Sequence, residues 1–258
     1  MRYLYLLLTT NFKTVLTLKA AFIGRFLLTV IDLIVFFVGF SIAFFKYENI
    51  KGYTIRDIAF AWGISIIIYS VLPVFFQGNG AELARKIEQG ELDGYLLVPK
   101  NVWLSVVASK SDPAGLAFTF GGGMMLWFSG YITWANFPLL ILMIFLGIII
   151  FVSLFSILGS LAFWFGGAHE WARQYLNMFL GITNMPAGIY TGFFKVVVYT
   201  ILPAGVITFV PLDVIQGSFY SLGYIFGAAV FFFALAVFVF KKGLKRYSGG
   251  NVFTYKGF

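Results

Sequence analysis

The feature that most constrains this chain is a series of seven long apolar runs. Each is close to the roughly 20 residues that a helix needs to cross a bilayer, and each is too long for a barrel strand of about 10 residues. Only helices and closed barrels satisfy their backbone polar groups in lipid. The sequence therefore predicts an all-α integral membrane protein. The runs are Phe26–Phe45, Ile58–Phe76, Ala114–Ile132, Pro138–Phe165, Tyr175–Phe194, Val196–Leu212 and Phe219–Phe240.

Composition supports the same class of protein. The chain is 60% hydrophobic and only 11% charged, whereas soluble domains carry about 25% charged residues. The length of 258 residues predicts a single transmembrane domain over residues 1–258. The chain has no Cys, which excludes disulfides, thiolate catalysis and Cys-ligated metals.

Basic residues predict how the chain is oriented. Both ends are basic and contain no acidic residue, so the positive-inside rule places both termini in the cytoplasm. The number of membrane crossings must then be even. The basic residues of the two ends are Arg2, Lys13, Lys19, Arg25, Lys241, Lys242, Lys245, Arg246 and Lys256.

Seven runs is an odd number, so one run is expected not to cross. Val196–Leu212 is the shortest, Pro203 interrupts it, and Pro211 and Asp213 close it. We predict that it forms a re-entrant hairpin between spans five and six, which leaves six transmembrane helices. The cytoplasmic loops then hold Arg85, Lys86, Lys100, Lys110 and Arg173, and the outer side holds Lys46, Lys51, Arg56 and Lys195. This asymmetry predicts a multi-pass protein of the cytoplasmic (inner) membrane.

A dense group of charged residues follows the second span. The segment Ala81–Gln89 predicts a short amphipathic helix with Leu83, Ala84 and Ile87 on its apolar face. Glu82 and Lys86 have the spacing of an i, i+4 ion pair, and Gly90 is expected to be the C-cap. Membrane-surface helices favour a strongly basic polar face, and this loop is rich in acidic residues. A protein partner is therefore favoured, and a helix lying on the membrane surface is the alternative.

Three segments resemble the ABC-2 type permeases, in particular their six-span branch. The segment ARKIEQGELDGYLLVPKNVWL contains an I-x-x-G-x-L-D-x-x-L-L-x-P pattern that begins at Ile87. The segment GSLAFWF at Gly159–Phe165 resembles the end of span four. The segment MPAGIYTGFFKVVVYTILPAGVITFVPLDVI at Met185–Ile215 resembles the fifth span and its hairpin, with Met185 in place of the usual Tyr.

This resemblance implies the transmembrane subunit of an ATP-driven exporter for a hydrophobic or amphiphilic substrate. Two such permease subunits, identical or paralogous, would assemble with two ATPase subunits that bind ATP and Mg. An N-terminal amphipathic helix would lie on the inner membrane face, and the helix after span two would be the coupling helix that contacts the ATPase. The coupling residues would be Glu82, Leu83, Arg85, Lys86, Ile87, Glu88, Gly90, Glu91 and Asp93.

The resemblance also implies a substrate path and an outer gate. Pro203 and Pro211 would belong to the outer gate formed by the hairpin. Candidate residues on the substrate path, in spans two and five, are Trp62, Tyr69, Asn184, Met185 and Tyr190.

The chain itself offers no catalytic machinery. No G-x-x-x-x-G-K-[ST] motif occurs in it, so ATP hydrolysis is assigned to a partner chain and no cofactor is expected in this one. The one His and its neighbour, His169 and Glu170, are too few for a metal site and are expected in a solvated loop or in a second ATPase contact. The basic residues that give the net charge of +8 are distributed over both ends and several loops, so they form no patch for nucleic acid.

Asp32 is the one carboxylate well inside a predicted span, where burial costs about 2.5–3.5 kcal/mol. We expect a structural ion pair with Arg25, seven residues earlier on the same helix face. The alternative is a proton or substrate site, which would suit a stand-alone secondary transporter or channel. A membrane enzyme is a third class, but the charged residues do not converge as an active site would require. Three consecutive glycines, Gly121 to Gly123, are expected to permit close helix packing.

Overall fold

The computed structural model describes residues 2–17, 19–46 and 49–248, and its regular elements there are helices. Lys256 of the basic tail lies outside this range. Short 3₁₀ turns occur at Pro113–Gly115, Leu161–Phe163 and Ala187–Ile189. The α-helices are α1 (Arg2–Leu16), α2 (Lys19–Lys46), α3 (Ile55–Phe75), α4 (Ala81–Glu88), α5 (Asp93–Leu96), α6 (Val102–Val107), α7 (Leu116–Ser129), α8 (Phe137–Ser160), α9 (Ala168–Thr183), α10 (Gly192–Thr200), α11 (Ala204–Thr208), α12 (Val210–Ile215) and α13 (Phe219–Leu244).

Four helices of the described chain are long and apolar enough to cross a membrane. They are α2, α3, α8 with its following 3₁₀ turn, and α13. A fifth crossing is possible if α10 and the α11–α12 pair, which are bent by 70°, count as one broken span. The all-helical membrane class is thus confirmed, with four or five apolar spans.

Two of the six predicted spans are shorter than expected. The third corresponds to α7, which has 14 residues and ends where Gly130 takes a left-handed conformation. The fifth corresponds to α9, which has 16 residues and ends at Thr183. Pro186 follows closely; proline has no N–H to donate to the preceding turn, and it disfavours helical backbone at the residue before it. The apolar run Tyr175–Phe194 is therefore divided between α9 and α10.

Helix α3 lies at the centre of the core, and a capping box fixes its start. The Thr54 hydroxyl accepts the Asp57 backbone N–H at 3.3 Å, while the Asp57 carboxylate accepts the Thr54 backbone N–H at 2.8 Å. These two bonds satisfy N–H groups that have no partner inside a helix. Phe60 and Ile64 on α3 are fully buried and pack in one cluster with Ile150 on α8.

Glycine allows α3 and α7 to approach closely. A Cβ at Gly122 would lie 2.7 Å from the Gly63 carbonyl oxygen, and a Cβ at Gly63 would lie 2.8 Å from the Gly122 oxygen. Small residues of this kind are the usual basis of tight helix packing in membranes. The packing role predicted for the glycine run is confirmed at Gly122, and at Gly121, which contacts Leu33; Gly123 faces open space.

The long helices connect two ends of the molecule. One end, which we call the α4 end, holds α4–α6 and the neighbouring ends of other helices. There Gly159 on α8 contacts Gly80, and Phe163 contacts Phe240 on α13. The other, the α12 end, holds α10–α12, where Phe209 packs against Tyr53 at 5.4 Å.

Helix α1 packs at the α4 end. The Asn11 side-chain amide donates to the Ala108 carbonyl at 3.3 Å, and the Phe12 ring stacks on Phe75 at 6.0 Å. These contacts fix the N-terminal helix beside the start of α7. Its placement on a membrane surface stays a prediction.

Candidate functional site

Helix α4 is delimited by two glycines whose backbone few other residues could adopt. Gly80 precedes the helix with φ of +57°, and Gly90 follows it with φ of +75°. The Gly90 N–H donates to the Ile87 carbonyl and the Glu91 N–H to the Lys86 carbonyl, which is the Schellman arrangement. The predicted C-cap at Gly90 is confirmed.

The apolar face of α4 is buried inside the chain itself. Leu83 and Ala84 are completely buried and Ile87 is 2% exposed. They pack among side chains from the ends of α8, α9 and α13, namely Ala162, Phe163, Ala168 and Phe240, together with Leu92 and Val106. The sequence interpretation assigned Leu83 and Ile87 to direct contact with an ATPase, and the burial of both side chains shows that this is wrong. Their side chains are not available to a partner and instead attach α4 to the long helices.

The polar face of α4 carries a network of ion pairs around Arg85. Its guanidinium donates to Glu82 at 2.8 Å and to Glu91 at 2.7 Å, and the Lys110 ammonium lies 2.5 Å from Glu82. Burial alone would raise the pKa of Glu82, but hydrogen bonds from Arg85 and Lys110 outweigh burial and lower it to about 2. The same carboxylates raise the pKa of Arg85. The Glu82 carboxylate and the Arg85 guanidinium therefore stay charged at every physiological pH.

Lys86 does not form the ion pair that its spacing suggested. It is 3% exposed, and its ammonium donates to the Tyr95 hydroxyl at 3.0 Å and to the Ser109 hydroxyl. The Tyr95 ring centroid lies 5.0 Å from the ammonium, within cation–π range. Glu82 instead pairs with Arg85 and Lys110. Lys86 thus joins the beginning, middle and end of the loop from α4 to α7.

His169 contacts α4 from the start of α9. Its Nδ1 lies 2.7 Å from the Glu88 carboxylate, so it is part of this region and not of an isolated loop. Glu170 is exposed and lies 3.8 Å from Arg173. The described residues contain no group of three or more potential metal ligands. Sequence patterns could not indicate the pairing of His169 with Glu88, because 81 residues separate them.

An exposed apolar tip lies beside the ion-pair network. Leu97 is 86% exposed, and its neighbours Leu96 and Val98 are also exposed. Glu91 and Asp93 are exposed next to them. Leu92, by contrast, is completely buried with Leu83. The surface that a partner can reach is therefore this tip with the exposed charged residues.

A separate cavity of about 390 Å³ lies between α2, α3, α8 and α9. Its wall includes Tyr69 and Asn184 from the predicted substrate path, and also Asp32. The structure thus brings together polar groups from three helices that are far apart in sequence.

The other three candidates for the substrate path lie elsewhere. Trp62 is 1% exposed and packs against Phe36 at 4.9 Å. Met185 is exposed on the surface. The Tyr190 hydroxyl donates to the Ile182 carbonyl at 2.9 Å, and its ring lines a different cavity at the α12 end with Lys195.

The expected pair of Asp32 with Arg25 is not formed. Arg25 lies 3.4 Å from Asp112 at the start of the 3₁₀ turn before α7. Within the described part of the chain, Asp32 has no ion pair or hydrogen bond. The predicted pair did not form because two residues on the same helix face need not pair. A long Arg side chain can also reach an acidic residue on another segment, here Asp112.

The two gate prolines lie in the segment α10–α12. Pro203 occupies the bend between α10 and α11, and Pro211 lies in the first turn of α12. The helices before and after Pro203 differ in direction by 70°. Proline explains this break because it lacks an N–H donor for the preceding turn.

Comparisons with known proteins identify the family. The family described as ABC-2 family transporter protein matches residues 30–250. Comparisons with curated proteins and with solved structures gave no match. The match covers most of the chain, including α4, the cavity and the α10–α12 segment, and it agrees with the four or five apolar spans. The chain is a multi-pass membrane protein and belongs to the ABC-2 transporter family.

Proposed function

We propose that the chain is the transmembrane subunit of an ABC exporter that moves a hydrophobic or amphiphilic molecule out across the cytoplasmic membrane. Membership of the ABC-2 family supports a transport role without catalysis in this chain. The phosphate-binding P-loop motif does not occur in the 258-residue sequence. ATP and Mg would bind to two copies of a separate ATPase, and a second permease, identical or paralogous, would complete the assembly.

The arrangement of the helices supports six crossings. The helices α2, α3, α7, α8, α9 and α13 would run alternately between the α4 end and the α12 end, although α7 and α9 are short. The α4 end carries most of the basic residues, so it would face the cytoplasm. The α12 end would face outwards, and α10–α12 with Pro203 and Pro211 would form an outer gate.

The observation that carries this proposal is the two-sided environment of α4. Its apolar face is fixed to the ends of α8, α9 and α13, while its other side, with the exposed tip at Leu97, is open to a partner. A force applied at the tip would therefore be transmitted to three helices of the membrane domain. That is the mechanical property required of a coupling element between an ATPase and transmembrane spans.

The exposed surface has the composition of a protein-binding site. A buried apolar anchor often dominates an interface, and Leu96 and Leu97 offer one. Glu91 and Asp93 beside it would set orientation and partner choice. Acidic residues at this position disfavour insertion into the anionic surface of the inner leaflet.

Affinity purification of the tagged full-length chain tests this surface. We expect Leu97→Asp to release the ATPase while the chain stays folded in the membrane. Trp134→Asp is the matched control, because Trp134 is 94% exposed in a loop at the α12 end. Retention of the ATPase by Leu97→Asp would show that the tip is not the contact.

The position of Asp32 favours a second candidate, a gradient-driven transporter in which Asp32 carries a proton. The carboxylate lines a cavity and is not neutralised by Arg25. The two functions differ in their energy source. Transport that stops when ATP is removed but continues when the proton gradient is collapsed supports the exporter.

A further inference from the structure

The cavity beside Asp32 carries a single negative charge. Asp32 is its one charged wall residue, and no Lys, Arg or His lines it. The remaining wall is mostly apolar, with the aromatic side chains Phe36, Tyr69, Phe118, Phe151 and Phe179. A single negative charge thus lies in a largely aromatic surrounding.

The carboxylate lies well inside the predicted hydrocarbon region. Asp32 is seven residues beyond Arg25, which corresponds to about 10 Å along a helix. Arg25 itself pairs with Asp112 at the α4 end. A charge at this depth must face protein or water and not lipid, and Asp32 is exposed in the isolated chain where it borders the cavity.

Three polar groups on the wall have no partner within the described chain. They are the Asp32 carboxylate, the Tyr69 hydroxyl and the Asn184 side-chain amide. By contrast, the wall hydroxyls of Thr29, Ser65 and Thr183 each bond to a carbonyl of their own helix. The three free groups are therefore the ones available to a bound molecule.

We propose that this cavity binds a monovalent hydrophobic cation, with Asp32 as its counterion. This assignment rests on the proposed function, because it specifies the substrate class of the exporter. A cationic molecule would neutralise Asp32, and its apolar or aromatic body would contact the Phe rings. Aromatic faces also attract cations directly.

The same wall discriminates against other classes of molecule. An anion would meet Asp32 without any compensating basic residue, and a like charge in a site of low dielectric is strongly disfavoured. A neutral apolar molecule would leave the carboxylate desolvated without a partner, which is also costly. Charge therefore determines specificity here, while the rings supply contact area.

The test measures binding of two probes that differ mainly in charge, tetraphenylphosphonium and tetraphenylborate. The full-length chain, with any partner chains that co-purify, is placed in lipid nanodiscs, and empty nanodiscs correct for partitioning into lipid. We expect tetraphenylphosphonium to bind at least about tenfold more tightly than tetraphenylborate. We expect Asp32→Asn to weaken tetraphenylphosphonium binding about tenfold or more and Asp32→Glu to retain most of it. Glu170→Gln removes the same charge at an exposed site outside the cavity and should leave binding unchanged.

Two outcomes would overturn the assignment in variants that elute as folded protein. One is equal binding of tetraphenylphosphonium by the wild type and Asp32→Asn, which is what a pure proton site would give. The other is equal loss in Asp32→Asn and Asp32→Glu, which would show that charge is not the determinant. Failure of the exporter proposal is detected separately, by absence of an ATPase from the purified chain, and does not depend on either probe.

Discussion

Two aliphatic side chains of similar size, Ile87 on α4 and Leu97 at the exposed tip, should respond in opposite ways to truncation. Ile87 is 2% exposed and packs in the cluster that joins α4 to α8, α9 and α13, whereas Leu97 is 86% exposed. Truncation of a fully buried Ile to Ala costs about 2–5 kcal/mol, because apolar contacts are lost and a cavity remains. An exposed truncation usually changes stability by less than about 0.5 kcal/mol. We therefore expect Ile87→Ala to destabilise the chain and Leu97→Ala to leave its stability unchanged.

The assay is thermal unfolding of the purified chain in one detergent, followed by tryptophan fluorescence. Trp103 and Trp164 pack against the same cluster as Ile87, so they report on this region. Binding of the ATPase is measured on the same samples. We expect opposite results for the two variants, with Ile87→Ala lowering the unfolding temperature and Leu97→Ala weakening the ATPase contact.

A stable Ile87→Ala variant that has lost its ATPase would refute this reasoning. It would mean that Ile87 faces the partner directly, and that the cluster formed with Phe163 and Phe240 is not a structural attachment. The original sequence interpretation of Ile87 as an interface anchor would then be restored.

Three further predictions concern charge, packing and orientation. Because the pKa of folded Glu82 is about 2, below the ordinary value of 4.5, its ion pairs should stabilise the fold fully above about pH 4.5 and lose that effect as pH falls towards 2. Partly exposed partners limit the effect to about 1 kcal/mol, and Glu82→Gln should remove it in unfolding measurements across this pH range. Gly122→Ala should destabilise the chain by about 1–3 kcal/mol because its Cβ would meet the Gly63 backbone, whereas Gly123→Ala meets open space and should be tolerated. In this cysteine-free chain, a single Cys at Asp213 should react with an impermeant reagent added outside whole cells, and one at Gln89 should not; the reverse pattern would contradict the orientation.

Local features of α4 could be predicted from the sequence. The spacing of Leu83, Ala84 and Ile87 correctly indicated one buried face, and the position of Gly90 correctly indicated a left-handed C-cap. Both depend on interactions within a few residues. Periodicity does not say what covers a buried face, however, and here the cover is the chain itself and not a partner.

Features that depend on distant residues could not be predicted. Arg25 pairs with Asp112 and not with Asp32, and Lys86 turns inward to Tyr95. Long charged side chains reach several partners of similar energy, so helix spacing alone does not choose between them. The cavity was only partly anticipated for the same reason, since its wall combines residues of α2, α3, α7, α8, α9 and α11, whose relative placement is set by packing such as that of Gly122.

The most direct test of the proposed function is purification of the full-length chain from its native membranes, followed by reconstitution and a transport assay. The account predicts that an ABC ATPase co-purifies in equal number with the permease subunits. Transport should then require ATP hydrolysis and persist without a proton gradient. Transport by the chain alone, driven by a gradient and indifferent to ATP, would contradict the account and favour a secondary transporter that uses Asp32.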